Sequence, residues 1–390
     1  MTVVAFAEKN KAAAQIASIL GEGEVDKISV EGLPAYEFKW KGEEWLVMGL
    51  SGHIMNYDFP EKYNKWSEVD PPGTLLGVDP EKFVTRKEYE AAIKNLAKRA
   101  DKIILACDYD REGENIGFEA KTLAEEVTDV PVARARFSAL SPPKEVRKAF
   151  ENPVDPDHNL AMAAEARQIL DLKMGAAFTR FVTLSVREKA RTKDVLSIGP
   201  CQTPTCGFVY EREKAIRAFE AKDFWKITAV FAAKGGEFEG THRAGNIHDK
   251  EKAAEIFKRL KGGAKEGLVV KKTVKEAKTS PPNPLNTTEF LKRASKFLGI
   301  SPPEVALETA EQLYLAGFTS YPRTETNKYA DDFDFKSLVF DFARQKEYKP
   351  FAESILSAPP IVPKNGEKDA HDHPPIHPIR RLQGERSVLQ

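Results

Sequence analysis

Asp108, Asp110 and Glu112 stand at alternate positions and Gly113 follows them. Three carboxylates this close repel one another unless a cation joins them, and hard oxygen donors favour Mg²⁺, with Mn²⁺ as the alternative. With Glu119 in the twelfth place the run superficially fits an EF-hand loop. That loop needs a preceding helix, whereas Ile103 to Cys107 reads as a buried strand, and Glu112 stands where Asp or Asn is usual. An acidic strand-to-helix turn therefore remains, either metal-binding or simply solvated. Glu8 adds a fourth carboxylate at the end of a second apolar run. Beside it, Lys9 reads as a cation over a phosphate at a helix N-terminus or as an exposed first-turn lysine. Tyr321-Pro322-Arg323-Thr324 offers a phenol nucleophile. In an extended segment Tyr321 and Arg323 project from one face, so a guanidinium flanks the phosphate that the phenol attacks. The alternative is a turn with a packed tyrosine. His371, His373 and His377 lie further on, but Pro374-Pro375 forbids the helix that would converge the last two on zinc. A phosphate-contacting histidine or a surface loop is left.

The elements that must position these groups are legible. Val3 to Ala7 is an apolar run of strand length, followed by a helical run from Lys11 to Leu20 with Gly21 as its stop. Lys102 to Cys107 runs in the same way through the acidic turn into a helix from Glu114 to Glu126. Strands alternating with helices indicate a parallel α/β sheet covered on both faces, with sites beyond the carboxyl ends of its strands. From about 155 to 217 the texture is helical. Phe224 to Phe231 and Glu237 to Thr241 read as a hairpin across Lys234-Gly235-Gly236, and Gly267 to Val274 as a further strand, so 221–279 reads as β-rich. Ser280-Pro281-Pro282-Asn283-Pro284 marks a boundary. Asn286 with Glu289 forms a capping box, and Ser301, Pro302 and Glu304 supply the N-cap, N1 and N3 of the next helix. Pro322 holds Tyr321 out of the helical region, just past Gly317.

Composition narrows the class. The 390 residues imply more than one hydrophobic core, and 59 Lys+Arg balance 59 Asp+Glu. The neutrality sums opposed patches: 101–130 holds nine acids and three bases, 180–193 five bases and one acid, and 261–280 six bases and two acids. Acid beside base suits a divalent metal next to a polyanion. Three cysteines, with no Cys-x-x-Cys pair, support neither a disulfide framework nor a zinc site. No run reaches membrane-span length and no signal peptide opens the chain, so a cytoplasmic protein without a membrane partner is expected. There is no Gly-x-x-x-x-Gly-Lys-Ser/Thr sequence, and ATP use is not expected.

These motifs together resemble the type IA DNA topoisomerases, in particular the topoisomerase III branch of archaea and eukaryotes. Val4 to Lys9 resembles the opening strand of the family's Toprim domain, and Ala106 to Glu114 its metal motif. Ser51-Gly52-His53-Ile54 and Asp58-Phe59-Pro60 fit the loop between them. Ala166 to Asp171 is similar to the strand-gripping helix and Gly199 to Thr205 to the segment after it. Ala310 to Tyr314 and Gly317 to Asn327 resemble the active-site tyrosine motif, and His373 to Pro378 the histidine motif. The chain departs from the pattern at Pro200-Cys201, where many bacterial members carry Arg-Val, and at Ile379, which replaces threonine.

The resemblance implies a multidomain α/β and α+β architecture: a Toprim domain over 1–154, part of a helical strand-gripping domain over 155–220, part of a β-rich arch over 221–280 and a tyrosine-bearing helical domain over 281–390, arranged as a toroid. It implies ATP-independent, Mg²⁺-dependent transesterification by Tyr321 on single-stranded DNA, a 5′-phosphotyrosine intermediate, strand passage and religation. Arg323, Lys9, Glu8 and His373 act with Tyr321, Glu8 as proton donor to the leaving 3′ oxygen; Asp108, Asp110, Glu112 and Glu8 hold the metal. Arg167, Asp171, Arg180, the basic stretch 187–193, Gln202, Thr203 and Thr324 hold the strand. The expected partners are single-stranded or negatively supercoiled DNA and a helicase or single-strand-binding protein. Because the family's arch leaves its helical domain and returns, a chain ending at Gln390 is expected to be a truncated form with an incomplete ring that relaxes plasmid poorly. A Toprim-type nuclease or primase-like enzyme and a single-strand-binding module without chemistry are the alternatives.

Overall fold

A computed structural model describes residues 1–390 except 141–142, 191, 264–265, 332, 359, 371–372 and 381–390, so the readings of His371 and Arg191 lie outside the described residues. The chain falls into two units, Met1–Pro200 with Pro281–Gln390, and Cys201–Ser280.

The first unit opens with β1 (Thr2–Ala7) and α1 (Asn10–Leu20), then a meander of β2 (Asp26–Val30), β3 (Leu33–Trp40) and β4 (Glu43–Gly49). Its two tight turns, Glu31-Gly32 and Lys41-Gly42, hold all four residues at positive φ. That is the mirror-image turn whose twist suits a right-handed hairpin. A ribbon of β5 (Met55–Asp58) and β6 (Glu81–Val84) precedes α2 (Lys87–Ala97), β7 (Lys102–Ala106), α3 (Arg111–Glu125), β8 (Val132–Arg134), α4 (Pro143–Glu151) and the long α5 (His158–Ala190). The main sheet runs β2-β3-β4-β1-β7-β8. Strands β4, β1, β7 and β8 are parallel, whereas β2 and β3 join antiparallel, so the sheet is mixed at one end. Alternation along β1 explains its unbroken apolar sequence. Val3, Ala5 and Ala7 face a core with Ile16, Leu20 and Phe150, while Val4 and Phe6 face another with Ile93, Leu96, Ile116 and Leu123.

The second unit contains α6 (Gln202–Arg217), the hairpin β9 (Thr228–Ala233) with β10 (Gly236–Thr241), and α7 (Lys250–Lys261). The β-rich reading of 221–279 is corrected here: the described part of that stretch has one hairpin and an unforeseen helix, and 267–274 forms no strand. Leu268, Val269, Val270 and Val274 are exposed there and pair with no sheet among the described residues.

The rest of the first unit is α8 (Thr287–Leu298), α9 (Pro303–Leu315), α10 (Phe335–Ala343) and α11 (Lys349–Leu356). The Asn286 side chain caps α8 by accepting from the Glu289 amide at 2.9 Å, and Gly299 ends it at φ 67°. The expected cap by Ser301 does not form: α9 starts one residue later, with Pro302 as N-cap and no side-chain bond. No helix among the described residues is long and apolar enough to cross a membrane.

Candidate active site

Strand register brings the acids together. Ala7 of β1 lies beside Ala106 of β7, so Glu8 and Asp108 follow from neighbouring strand ends. Arg134, fully buried at the end of β8, donates from Nη2 to the Asp108 carbonyl at 2.9 Å and from Nε to the buried Glu114 carboxylate at 2.8 Å. The other Glu114 oxygen accepts from the Asp157 amide at 2.6 Å. One buried ion pair thus ties the acidic turn to α3, β8 and the start of α5. Gly113 is required in this turn, since a Cβ there would overlap the Asp108 carbonyl. Asp110 caps α3, its Oδ1 accepting from the Gly113 amide at 2.8 Å.

The tyrosine segment meets this turn directly. The Tyr321 hydroxyl donates to Asp110 Oδ2 at 2.6 Å, and the Tyr321 amide to the Ser138 carbonyl at 3.1 Å. Seven residues earlier, the buried Tyr314 hydroxyl donates to Asp108 Oδ1 at 3.1 Å, and its ring meets that of Tyr321 edge-on at 5.1 Å. His373 also packs on Tyr321, the two ring centroids 4.3 Å apart. Thr324 fixes this histidine by donating from Oγ1 to its carbonyl at 3.0 Å.

The two cations read as phosphate-flanking both have carboxylate partners: Arg323 pairs with Glu311 at 2.6 Å, and Lys9 with Glu8 at 3.3 Å and Asp108 at 3.8 Å. Burial, then the charges of Asp108 and Asp110, push the Tyr321 phenol far above its ordinary range. Burial likewise raises Asp108 to about 8, helped by Glu8. Burial alone would lower the Lys9 ammonium, but Glu8 and Asp108 outweigh it and leave it raised.

Glu112 faces a different set of partners. It accepts from Arg167 at 2.8 Å and lies 3.1 Å from His53 Nε2, while His53 Nδ1 is 2.8 Å from the buried Glu119. Glu119 also takes the Ile54 and Met55 amides. Hydrogen bonds to Glu112 and Glu119 raise His53 to about 9. Arg167 also lies 3.6 Å from Asp171 on α5, and Arg180 donates to the Tyr63 carbonyl. Gln202 and Thr203 open α6 in the second unit and are exposed. Sequence reasoning did not single out Tyr314, Arg134, Glu114 or His53 as functional. All except Arg134 stand in the quoted motifs, and their partners are distant in sequence.

Among the described residues, no three carboxylates, imidazoles or thiols converge as a ready cage for an ion. The donor set nevertheless suits a hard cation: Glu8 and Asp108 offer only oxygens, and among the described residues the buried Asp108 Oδ2 has only the Lys9 ammonium near it, at 3.8 Å and too far to donate a hydrogen bond. A carboxylate oxygen removed from water with no donor is costly, and a cation offsets that cost.

A family model described as DNA topoisomerase matches residues 155–389, and one described as Toprim domain matches residues 3–140. The chain belongs to the type IA DNA topoisomerases. It is 37% identical to a DNA topoisomerase 1 of Archaeoglobus fulgidus, over 97% of this chain and 54% of that protein. With human DNA topoisomerase 3-alpha it shares 35% identity over 99% of this chain and 40% of the relative. The full-length topoisomerase I structure from Thermotoga maritima has the same fold, with a TM-score of 0.65 and 24% identity over 97% of this chain and 55% of that one. This topoisomerase chain spans about half the length of the curated relatives it matches.

Proposed function

We propose that this chain carries the strand-cleaving centre of an ATP-independent type IA topoisomerase, with single-stranded DNA as its substrate. Tyr321 Oη forms a bond to phosphorus as the bond to the 3′ oxygen breaks, leaving the 5′ phosphate on the tyrosine. The phenol proton passes to Asp110 Oδ2, which already accepts its hydrogen bond, and Glu8 gives a proton to the departing 3′ oxygen. Religation reverses both transfers after a second strand has passed. The single observation that carries the reading is the 2.6 Å bond between Tyr321 and Asp110, which joins nucleophile and acidic turn.

Arg323 and Lys9 are held by Glu311 and Glu8, and an entering phosphate competes for both cations. His373, against the Tyr321 ring, orients it. Mg²⁺ or Mn²⁺ would be held by Asp108 and Asp110, with Glu8 when it is ionised and with Glu112 once it leaves Arg167 and His53, and would supply positive charge against these carboxylates and the phosphoryl oxygens. Arg167, Asp171, Arg180 and Thr324 contact the strand in the first unit, and Gln202 and Thr203 are DNA-binding residues of the second unit. On this reading the chain divides functionally at 154/155, 220/221 and 280/281, and a helicase or single-strand-binding protein supplies the open strand.

The test is incubation with an end-labelled single-stranded oligonucleotide, with and without Mg²⁺, followed by denaturing separation. A labelled protein adduct lost in Tyr321→Phe is expected. Cleavage that leaves both ends free of protein would assign the centre to a nuclease instead.

A further inference from the structure

Four cations around the acidic turn are paired, and Arg111, on the turn itself, is exposed to solvent. Lys9 is paired with Glu8 and Asp108, Arg134 with Glu114, Arg167 with Glu112 and Arg323 with Glu311. Arg136 differs. No carboxylate lies within ion-pairing distance of it among the described residues, and its buried Nε has no hydrogen-bond partner. Its guanidinium carbon lies 4.9 Å from the centre of the Tyr109 ring. Tyr109 stands between the two aspartates of the turn, and its ring meets that of His373 edge-on at 5.7 Å. His373 in turn lies against Tyr321. Arg136, Tyr109, His373 and Tyr321 therefore form one continuous row. The backbone agrees, because Ser138, two residues after Arg136, accepts the Tyr321 amide.

A half-buried guanidinium without a counter-ion is unfavourable unless an anion arrives, and stacking on an aromatic face fixes its plane without using its outer donors. We propose that Arg136, braced on Tyr109, is a binding residue for a backbone phosphate of the DNA strand adjoining the phosphate that Tyr321 attacks. The proposal rests on the cleavage reading above and adds to it a contact outside the residues already assigned. Since Arg136 has no carboxylate to leave, it engages the strand before Arg323 and Lys9 exchange their partners, and so sets the register of the phosphate offered to Tyr321.

Binding of a short fluorescent single-stranded oligonucleotide is measured with the full chain in the Tyr321→Phe background, so that covalent capture is not in the readout. Arg136→Gln is expected to weaken binding about tenfold at low salt and to lower the slope of log affinity against log salt by about 0.7, the loss of one single-strand phosphate contact. Arg136→Lys keeps the slope. An oligonucleotide with one neutral methylphosphonate, moved along the strand, is expected to lose affinity at one position for the protein with Arg136 intact but not for Arg136→Gln. If the Arg136→Gln variant melts too low to assay, the comparison is made with Arg136→Lys, which must keep the penalty at that position. Equal affinity and slope with Arg136 intact and in Arg136→Gln, or no penalty that depends on this side chain, overturns the proposal. The parent reading is tested separately by the adduct: its absence with Tyr321 intact sinks cleavage, whereas an adduct with unchanged salt slopes sinks only the role of Arg136.

Discussion

Tyr321 Oη and Asp110 Oδ2 are 2.6 Å apart, and the same aspartate caps α3 through its other oxygen. One residue thus serves the helix start and the nucleophile at once. Asp110→Asn separates the two duties, because asparagine caps a helix about as well as aspartate but is a far weaker base. The melting temperature is expected to stay within about 3 °C of the parent, on the scale where about 1 kcal/mol moves it a few degrees. Adduct formation should fall at least about tenfold, the size of a modest general-base contribution. Thermal melting and adduct yield on one preparation check both, and normal adduct yield would remove Asp110 from proton transfer.

Tyr321→Phe removes only the attacking oxygen and the donor to Asp110. Single-strand affinity should remain within about threefold of the parent, while the adduct disappears. An adduct formed by the Phe variant would show that another nucleophile is at work.

How much of this was legible depended on distance along the chain. Asp110 and Gly113 form a local cap, and the strand, acidic turn and helix around them announce themselves in sequence. Asn286 with Glu289 is read for the same reason. The β2–β4 meander was missed because its turns are Glu31-Gly32 and Lys41-Gly42, and neither carries the Asn or Asp that usually marks a turn with positive φ at both centres. Leu268 to Val274 shows the reverse failure: β-forming residues are present, but no partner strand meets them among the described residues. The ion pairs were hidden by separation. Arg134 finds Glu114 twenty residues away, and Arg323 pairs with Glu311 rather than facing the phenol alone.

Arg134 and Glu114 are both fully buried, so removing one partner leaves an uncompensated charge. Arg134→Met is expected to cost about 3–5 kcal/mol, and Arg134→Met with Glu114→Leu less than that, because the second change removes the stranded carboxylate. Denaturant titration of the single and double variants checks this. A double variant as unstable as the sum of the singles would mean that the bonds to Asp108 and Asp157, not the charge pair, carry the stability.

His53 gives the fold a specific dependence on pH. Its folded value is raised to about 9 by Glu112 and Glu119, against an unfolded value of about 6.5. A raised folded value means that the stability it contributes is fully present below about pH 6.5 and is lost as pH rises through about 9. The difference in melting temperature between the parent and His53→Gln should therefore be largest at about pH 6 and shrink between about pH 7 and 9.5. A difference independent of pH would show that His53 acts by packing and neutral hydrogen bonds alone.

The carboxylates also make a prediction about metal that does not depend on turnover. Burial and the neighbouring Glu8 raise Asp108 to about 8, so a cation that displaces its proton relieves both effects. Millimolar Mg²⁺ should raise the melting temperature of the chain, and chelation should reverse the rise, because a ligand bound only by the folded state stabilises it. In Asp108→Ala with Asp110→Ala the α3 cap and the acceptors of the Tyr314 and Tyr321 hydroxyls are gone, so the protein should melt below the metal-free parent and show no Mg²⁺-dependent rise. Screening by salt is separated from site binding by matching the ionic strength with NaCl, which should not reproduce the rise. An equal rise in parent and double variant would place the ion elsewhere and would withdraw Asp108 and Asp110 as its ligands.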